Sequence, residues 1–165
     1  MCLEEIAGQP IVIFLIGPPG SGKSTFRANL PQSYVTLSTD DVFDRLAAQR
    51  GMTYSQAFHE LGFKIPQAEF DAAFTDAITN SKNIVIDQTN MSRKARAKKL
   101  NLVPKNYKKI AIVFSLPKDV LQQRLTKREA ETGKIIPPQV LDQMLRSYEE
   151  PTRAEGFDEI RHYQQ

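Results

Sequence analysis

Ile11-Val12-Ile13-Phe14-Leu15-Ile16-Gly17-Pro18-Pro19-Gly20-Ser21-Gly22-Lys23-Ser24-Thr25 is the stretch from which the rest of the chain can be read. Six apolar residues in a row, cut off by glycine and proline, have the pattern of a strand buried on both faces of a parallel sheet. The residues that follow fit G-x-x-x-x-G-K-[ST], a motif that carries meaning only where it follows a strand and opens a helix, as here. Its spelling has a chemical reason. Glycines let the backbone curl until successive N–H groups face inward and can cradle phosphate oxygens, and the following helix adds its positive N-terminal end.

Gly17, Gly20, Ser21, Gly22, Lys23, Ser24 and Thr25 are therefore the candidate nucleotide-binding residues. Lys23 is expected to reach between the β- and γ-phosphates, and the Ser24 hydroxyl to complete the coordination of Mg²⁺, so that ATP and Mg²⁺ are the implied small molecules. Working outward, further apolar runs at 34–37, 84–86 and 110–114, with a weaker one at 160–163, read as strands. Amphipathic stretches at 42–50, 67–80, 93–103, 120–130 and 139–150 read as helices between them. The spacing predicts an α/β chain with the fold of a P-loop NTPase, three layers α/β/α with a mostly parallel sheet and a helical lid. At 165 residues this is one domain with a tail over 1–10. Thr53 with Gln56 and Thr152 with Glu155 fit capping boxes, and Pro117 and Pro137 suit first-turn positions. Residues 51–66 yield one short helix, 55–61, and no functional reading.

Two acidic positions stand at strand ends. Asp87 closes the 84–86 run, where it would hold Mg²⁺ through water together with Ser24; a helix-capping role competes, although Asn90 and Ser92 are better placed for that. Asp40 follows the 34–37 run, at the end of the sheet where such folds gather ligands. A carboxylate there can orient an acceptor hydroxyl and take its proton, with Asp41 starting the next helix. Residue pattern alone leaves this level with a simpler role for both acids in complementing the helix dipole. Arg124 and Arg128 lie one helical turn apart, with Lys127 nearby and Lys134 beyond Gly133. They suit a lid whose arginines close over transferring phosphates, or else an exposed face paired with Glu129 and Glu131. The candidate catalytic set is Lys23, Asp40, Arg124 and Arg128. Between residues 93 and 109 lie Arg93, Lys94, Arg96, Lys98, Lys99, Lys105, Lys108 and Lys109 without an acid, a stripe that is either solvated or turned to a polyanion.

Composition narrows the classes. Hydrophobic residues at 41% can build a core without disulfides, and the single cysteine, Cys2, cannot form an internal one. The longest apolar run, six residues, is far short of the roughly 20 that cross a bilayer, and the first ten residues lack a signal-peptide pattern. A soluble, cytoplasmic chain with no membrane partner is expected. His59 and His162 have no Cys or His at metal-ligand spacing, which argues against a zinc site. The net charge of +3 is too mild by itself to name a partner.

These motifs together resemble the polynucleotide kinase domain, of the phage type and of the kinase half of the animal kinase/phosphatase. The resemblance rests on the residues from Gly17 to Thr25, Asp40, Asp87-Gln88-Thr89-Asn90, Arg124 with Arg128, and Pro151-Thr152-Arg153-Ala154-Glu155-Gly156-Phe157. It implies transfer of the ATP γ-phosphate to a 5′-hydroxyl at DNA or RNA ends, with Asp40 as general base and Arg128 as lid arginine. Thr39 stands where that family commonly carries an arginine, Phe43 stands where the phage form carries one for a substrate phosphate, and no Asp-x-Asp phosphatase motif is present. The segment 87–92, with 134–141 and 157–160, is also similar to the kinase-like domain of heterogeneous nuclear ribonucleoprotein U. Three functions are thus in view: a polynucleotide 5′-hydroxyl kinase, a kinase of a nucleoside, nucleotide or sugar, and a non-enzymatic ATP-dependent RNA-associated module.

Overall fold

Strand β1 (Ile11–Ile16) is buried at all six positions, because its side chains alternate between two separate cores and neither face meets water. Ile11, Ile13 and Leu15 pack with Phe26, Val85, Ile112 and Phe114 on one side. Val12, Phe14 and Ile16 pack with Phe70, Phe74, Ile86 and Leu100 on the other. The computed structural model describes residues 8–163; Cys2 and most of the tail expected over 1–10 lie outside the described residues.

After β1 come α1 (Lys23–Ala28), β2 (Val35–Leu37), α2 (Thr39–Arg50), α3 (Tyr54–Leu61), α4 (Lys64–Thr79) and β3 (Ile84–Asp87). The chain continues through α5 (Arg93–Leu100), β4 (Lys108–Phe114), α6 (Lys118–Thr132), α7 (Pro138–Arg146), a 3₁₀ turn Arg153–Glu155 and β5 (Glu159–Tyr163). The five strands lie in the order β2-β3-β1-β4-β5, and each neighbouring pair is parallel. The expected mostly parallel sheet is thus wholly parallel among the described residues. Phe26 of α1 covers one face, while Phe70 and Phe74 of α4 and Leu100 of α5 cover the other, which makes the three layers. Helices α6 and α7 join through Leu121, Leu125 and Leu141 in a small core of their own. This is the helical lid. Among the described residues no helix is long and apolar enough to cross a membrane.

Several expected boundaries shift for local reasons. Helix α2 begins at Thr39, because Ser38 is its N-cap and accepts from the Asp41 N–H at 3.3 Å. Asp40 therefore sits inside the first turn and not ahead of the helix. Pro117 and Pro137 are N-caps with extended ψ rather than first-turn residues. The capping box of Thr152 and Glu155 closes a 3₁₀ turn, and α7 stops at Arg146 rather than running to 150. The short helix expected at 55–61 is present as α3, with the Thr53–Gln56 capping box in place.

This topology sets the functional residues side by side. The glycine loop leaves the carboxyl end of β1, Asp87 ends the adjacent β3, and Ser38 to Asp41 follow β2 one strand further out.

Candidate active site

The loop after β1 folds back on itself around Lys23. Gly20 and Gly22 take φ values of +81° and +100°, the left-handed region that glycine enters without steric cost. Gly17 is fixed for a different reason: a Cβ there would lie 2.7 Å from both the Phe114 carbonyl and the Ser21 Oγ. The Ser21 hydroxyl donates to the Pro18 carbonyl at 2.7 Å. Lys23 Nζ donates to the carbonyls of Gly17 at 2.6 Å and Pro18 at 2.9 Å. Burial lowers its pKa to about 8, against the opposing pull of Asp87 and Asp40 and with a further push from Arg128. A sheltered ammonium on two neutral carbonyls is a cation poised for an anion, which is the electrostatic side of a phosphate cradle.

The segment after β3 is stitched to this loop. Gly17 N–H donates to the Thr89 carbonyl at 3.0 Å, and Asn90 Nδ2 to the Leu15 carbonyl at 2.8 Å. Asp87 heads that segment, its carboxyl raised by burial despite the nearby charges of Lys23 and Arg27. Arg27 was not legible as a site residue. It lies four residues after Lys23, on the same face of α1, and that spacing was the one available signal. Its Nη1 stands 2.9 Å from Asp87 Oδ2, and its Nη2 donates to Asp41 Oδ1 at 2.9 Å. One guanidinium therefore joins the acid after β3 to the acid after β2.

Asp40 receives a 2.7 Å hydrogen bond from the Tyr54 hydroxyl. Burial, and then Asp40 itself, raise the pKa of that phenol far above its ordinary value, so it stays protonated and donates. Tyr54 also ties the lid to this corner. Lys134 Nζ lies 4.5 Å from the Tyr54 ring centroid and 2.6 Å from Asp44 Oδ2, and Ser55 Oγ donates to the Gly133 carbonyl at 3.1 Å. Residues 51–66, a segment without a functional reading from its sequence, thus supply the wall beside Asp40.

Helix α6 lies over the glycine loop: a Cβ on Gly20 would meet Leu125 and Arg124 at ordinary contact distance. Arg124 Nη1 donates to the Gly20 carbonyl at 3.2 Å. Arg128 is half-buried and close enough to act electrostatically on both Lys23 and Tyr54. Lys127 instead points outward, 3.8 Å from Glu131. Arg124 thus reaches the glycine loop, whereas Lys127 belongs to the outer face with Glu131.

Ser24 and Asp87 offer hard oxygen donors of the kind Mg²⁺ takes alongside phosphate oxygens and water. Among the described residues no group of three or more His, Cys, Asp or Glu is placed to hold a metal ion. Mg²⁺ at this place would depend on a nucleotide to fill its shell, which is the fit expected of Ser24 with Asp87 acting through water.

The basic stripe does not form one face. Arg96 is fully buried, where it pairs with Glu155 at 2.8 Å and donates to the carbonyls of Asn90 and Met91, each at 3.0 Å. Burial works to raise the Glu155 pKa, but hydrogen bonds from Arg96 and the Thr152 N–H hold it below the usual value. Lys108 pairs with Glu159 at 3.3 Å. Arg93, Lys94, Lys98 and Lys105 remain exposed, a smaller surface than the count of eight implied.

With this geometry in hand, the chain can be set beside known proteins. It is 29% identical to Transcription factor bHLH140 of Arabidopsis thaliana, with 96% of this chain and 16% of that protein covered. It is 31% identical to the Cytidylate kinase of Halobacterium salinarum over 74% of this chain and 60% of that one. The chain thus spans less than two thirds of the length of either relative. Among solved structures it superposes on a chain of the Pnkp1/Rnl/Hen1 RNA repair complex with a TM-score of 0.67 and 23% identity, covering 89% of this chain and 46% of that one. Residues 12–151 match the family described as AAA domain, a span that holds the glycine loop, both strand-end acids and the lid arginines; the chain belongs to that family and is a P-loop kinase-like α/β protein.

Proposed function

We propose that the chain moves the γ-phosphate of ATP to a hydroxyl acceptor, with the 5′-hydroxyl of a polynucleotide as the acceptor class. One observation carries the reading. The glycine loop with Lys23, Asp87 and Asp40 leave the carboxyl ends of neighbouring strands, and Arg124 of α6 donates to the Gly20 carbonyl of that loop, so a phosphate cradle, a metal-side acid, an acceptor-side acid and a lid arginine lie at one end of the sheet. A nucleotide-gated binding module needs the cradle, but has no use for a carboxylate on the acceptor side.

In this reading the backbone N–H groups of residues 20–25 and the Lys23 ammonium hold the phosphates, and Ser24 with Asp87 would hold Mg²⁺, whose charge would offset that of the phosphates. Asp40 orients the acceptor hydroxyl and takes its proton as the acceptor oxygen bonds to the γ-phosphorus. The bond from that phosphorus to the β,γ-bridging oxygen breaks, and ADP leaves. Arg124 and Arg128 neutralise charge that grows on the transferring group and exclude water. The similarity to a chain of an RNA repair complex and the exposed cations of α5 favour an RNA or DNA 5′ end. The similarity to a cytidylate kinase supports a second reading, in which the acceptor is a single nucleotide.

An acceptor panel separates them. Labelled ATP with Mg²⁺ is offered 5′-hydroxyl DNA and RNA oligonucleotides, nucleosides and nucleoside monophosphates, with Lys23→Ala and Asp40→Ala proteins alongside. Labelled oligonucleotide that disappears in both variants is the expected result. Label on a monophosphate alone selects the second reading, and ATP-dependent RNA binding with no transfer to anything overturns both.

A further inference from the structure

One cation near the site lacks a counter-charge. Lys99 projects from α5 and is partly buried, and its Nζ donates to Gln88 Oε1 at 2.7 Å. Gln88 directly follows Asp87, and its Nε2 in turn lies 3.5 Å from the Oγ1 of Thr39, the residue before Asp40. An ammonium on α5 is thereby linked, through two polar side chains, to the acceptor side of the sheet. Its neighbours in the stripe are satisfied differently, Arg96 by Glu155 and Lys108 by Glu159. Among the described residues no carboxylate stands within ion-pair distance of Lys99. Burial, with a smaller push from Lys98, lowers its pKa to about 8.

A sheltered charge is ordinarily paired. An ammonium has three donors and Gln88 accepts from one, so Lys99 keeps donors for an anion, and Gln88 and Thr39 lie alongside as further polar groups. The anion that comes to the acceptor side of a kinase is a phosphate of the acceptor itself. We infer that Lys99 and Gln88 form a subsite for a phosphate group already carried by the acceptor, separate from the phosphate that is transferred. The inference rests on the kinase reading above and deepens it. The acceptor would be a phosphorylated molecule, such as a polynucleotide with its internucleotide phosphates or a nucleotide phosphorylated elsewhere, and a neutral nucleoside or sugar would be a poor one.

The test compares the dinucleotide TpT, which has one charged phosphodiester, with its neutral methylphosphonate analogue and with thymidine 3′-monophosphate, in wild-type, Lys99→Met and Lys99→Arg proteins. Wild type is expected to favour TpT over the analogue by at least tenfold in kcat/KM. Lys99→Met should reduce that preference to under threefold, mainly by raising KM for TpT, and Lys99→Arg should retain most of it. The monophosphate arm tells a terminal phosphate from a diester: loss of its use in Lys99→Met alongside TpT means the subsite takes either. Equal slowing of all acceptors by Lys99→Met, or no slowing of any, would overturn the subsite. Calorimetric binding of TpT in the presence of a non-hydrolysable ATP analogue reads the subsite without chemistry. Absence of transfer by wild type with Lys99-dependent TpT binding retained would sink the kinase reading alone; absence of both would sink the two together. Removal of a sheltered, unpaired charge should leave the melting temperature of Lys99→Met at or above that of wild type, so loss of folding cannot pass for loss of binding.

Discussion

The Tyr54 hydroxyl donates to Asp40 Oδ1 at 2.7 Å, from a ring packed edge-on against Phe43 at a centroid distance of 5.7 Å. Tyr54 thus fixes the rotamer of the acid proposed to meet the acceptor, and it also carries Lys134 from the end of the lid. A positioned base is held by its neighbours, and the position of Asp40 depends on α3.

Tyr54→Phe keeps the ring and removes only the donor. The loss of one hydrogen bond is worth ~1 kcal/mol, or about fivefold in rate. The expected outcome is kcat lower by about three- to tenfold with KM for ATP within twofold, measured by steady-state transfer. A matched rise in KM for ATP would place Tyr54 in nucleotide binding instead.

Lys23 links stability to pH. Its folded pKa, about 8, is below the value of 10.5 for an unburied lysine, so between these two values the unfolded chain holds more protons and stability rises with pH. The cost of burying the charge is present in full below about pH 8 and is relieved towards 10.5. Lys23→Met should therefore melt a few degrees higher than wild type at pH 7, with the gap closing by pH 10, while ATP binding is lost. Thermal melts of both proteins across that range check the sign. By the same linkage, binding of a polyphosphate restores charge to Lys23, and calorimetry at pH 8 in buffers of different ionisation enthalpy should show proton uptake.

Arg27 spans Asp41 and Asp87, the latter only 9% exposed in its side chain. Arg27→Met leaves a sheltered carboxyl without its cation and should cost about 1–3 kcal/mol, a fall in Tm of about 3–10 °C. The double variant Arg27→Met with Asp87→Asn should recover part of that loss, since the uncompensated charge is gone. Strictly additive losses would mean that the two residues are not coupled.

The stripe on α5 should divide under mutation. Arg96→Met breaks a fully buried pair with Glu155 and frees two carbonyls, for an expected loss of about 3–5 kcal/mol in denaturant unfolding. Lys98→Ala, on the exposed side, should stay within about 0.5 kcal/mol. Similar effects at the two positions would contradict the buried placement of Arg96.

What could be read beforehand depended on range along the chain. The apolar run at Ile11 with the glycine loop after it, and the runs at 34–37 and 84–86, are local signals, and they located the strands and the places of Lys23, Asp40 and Asp87 along the chain. The capping box of Thr53 and Gln56 announced α3, because both partners lie within one turn. Tyr54 and Arg27 were not legible as site residues, since their partners are 14 residues away and further. Arg96 read as a surface charge for the same reason: its partner Glu155 is 59 residues on, and nothing in a lysine-rich helix marks one cation as buried. The early start of α2 escaped because Ser38, Asp40 and Asp41 are all acceptable caps, and only the backbone chose between them.

The most direct test of phosphoryl transfer through Asp40 is the single-turnover rate of γ-phosphate transfer from saturating ATP to a 5′-hydroxyl oligonucleotide by the Asp40→Asn protein. A neutral amide keeps the shape and removes the base, so the rate should fall by about 10²–10⁴-fold while ATP affinity stays within twofold. Transfer at the wild-type rate, or loss of ATP binding in its place, would contradict the role given to Asp40.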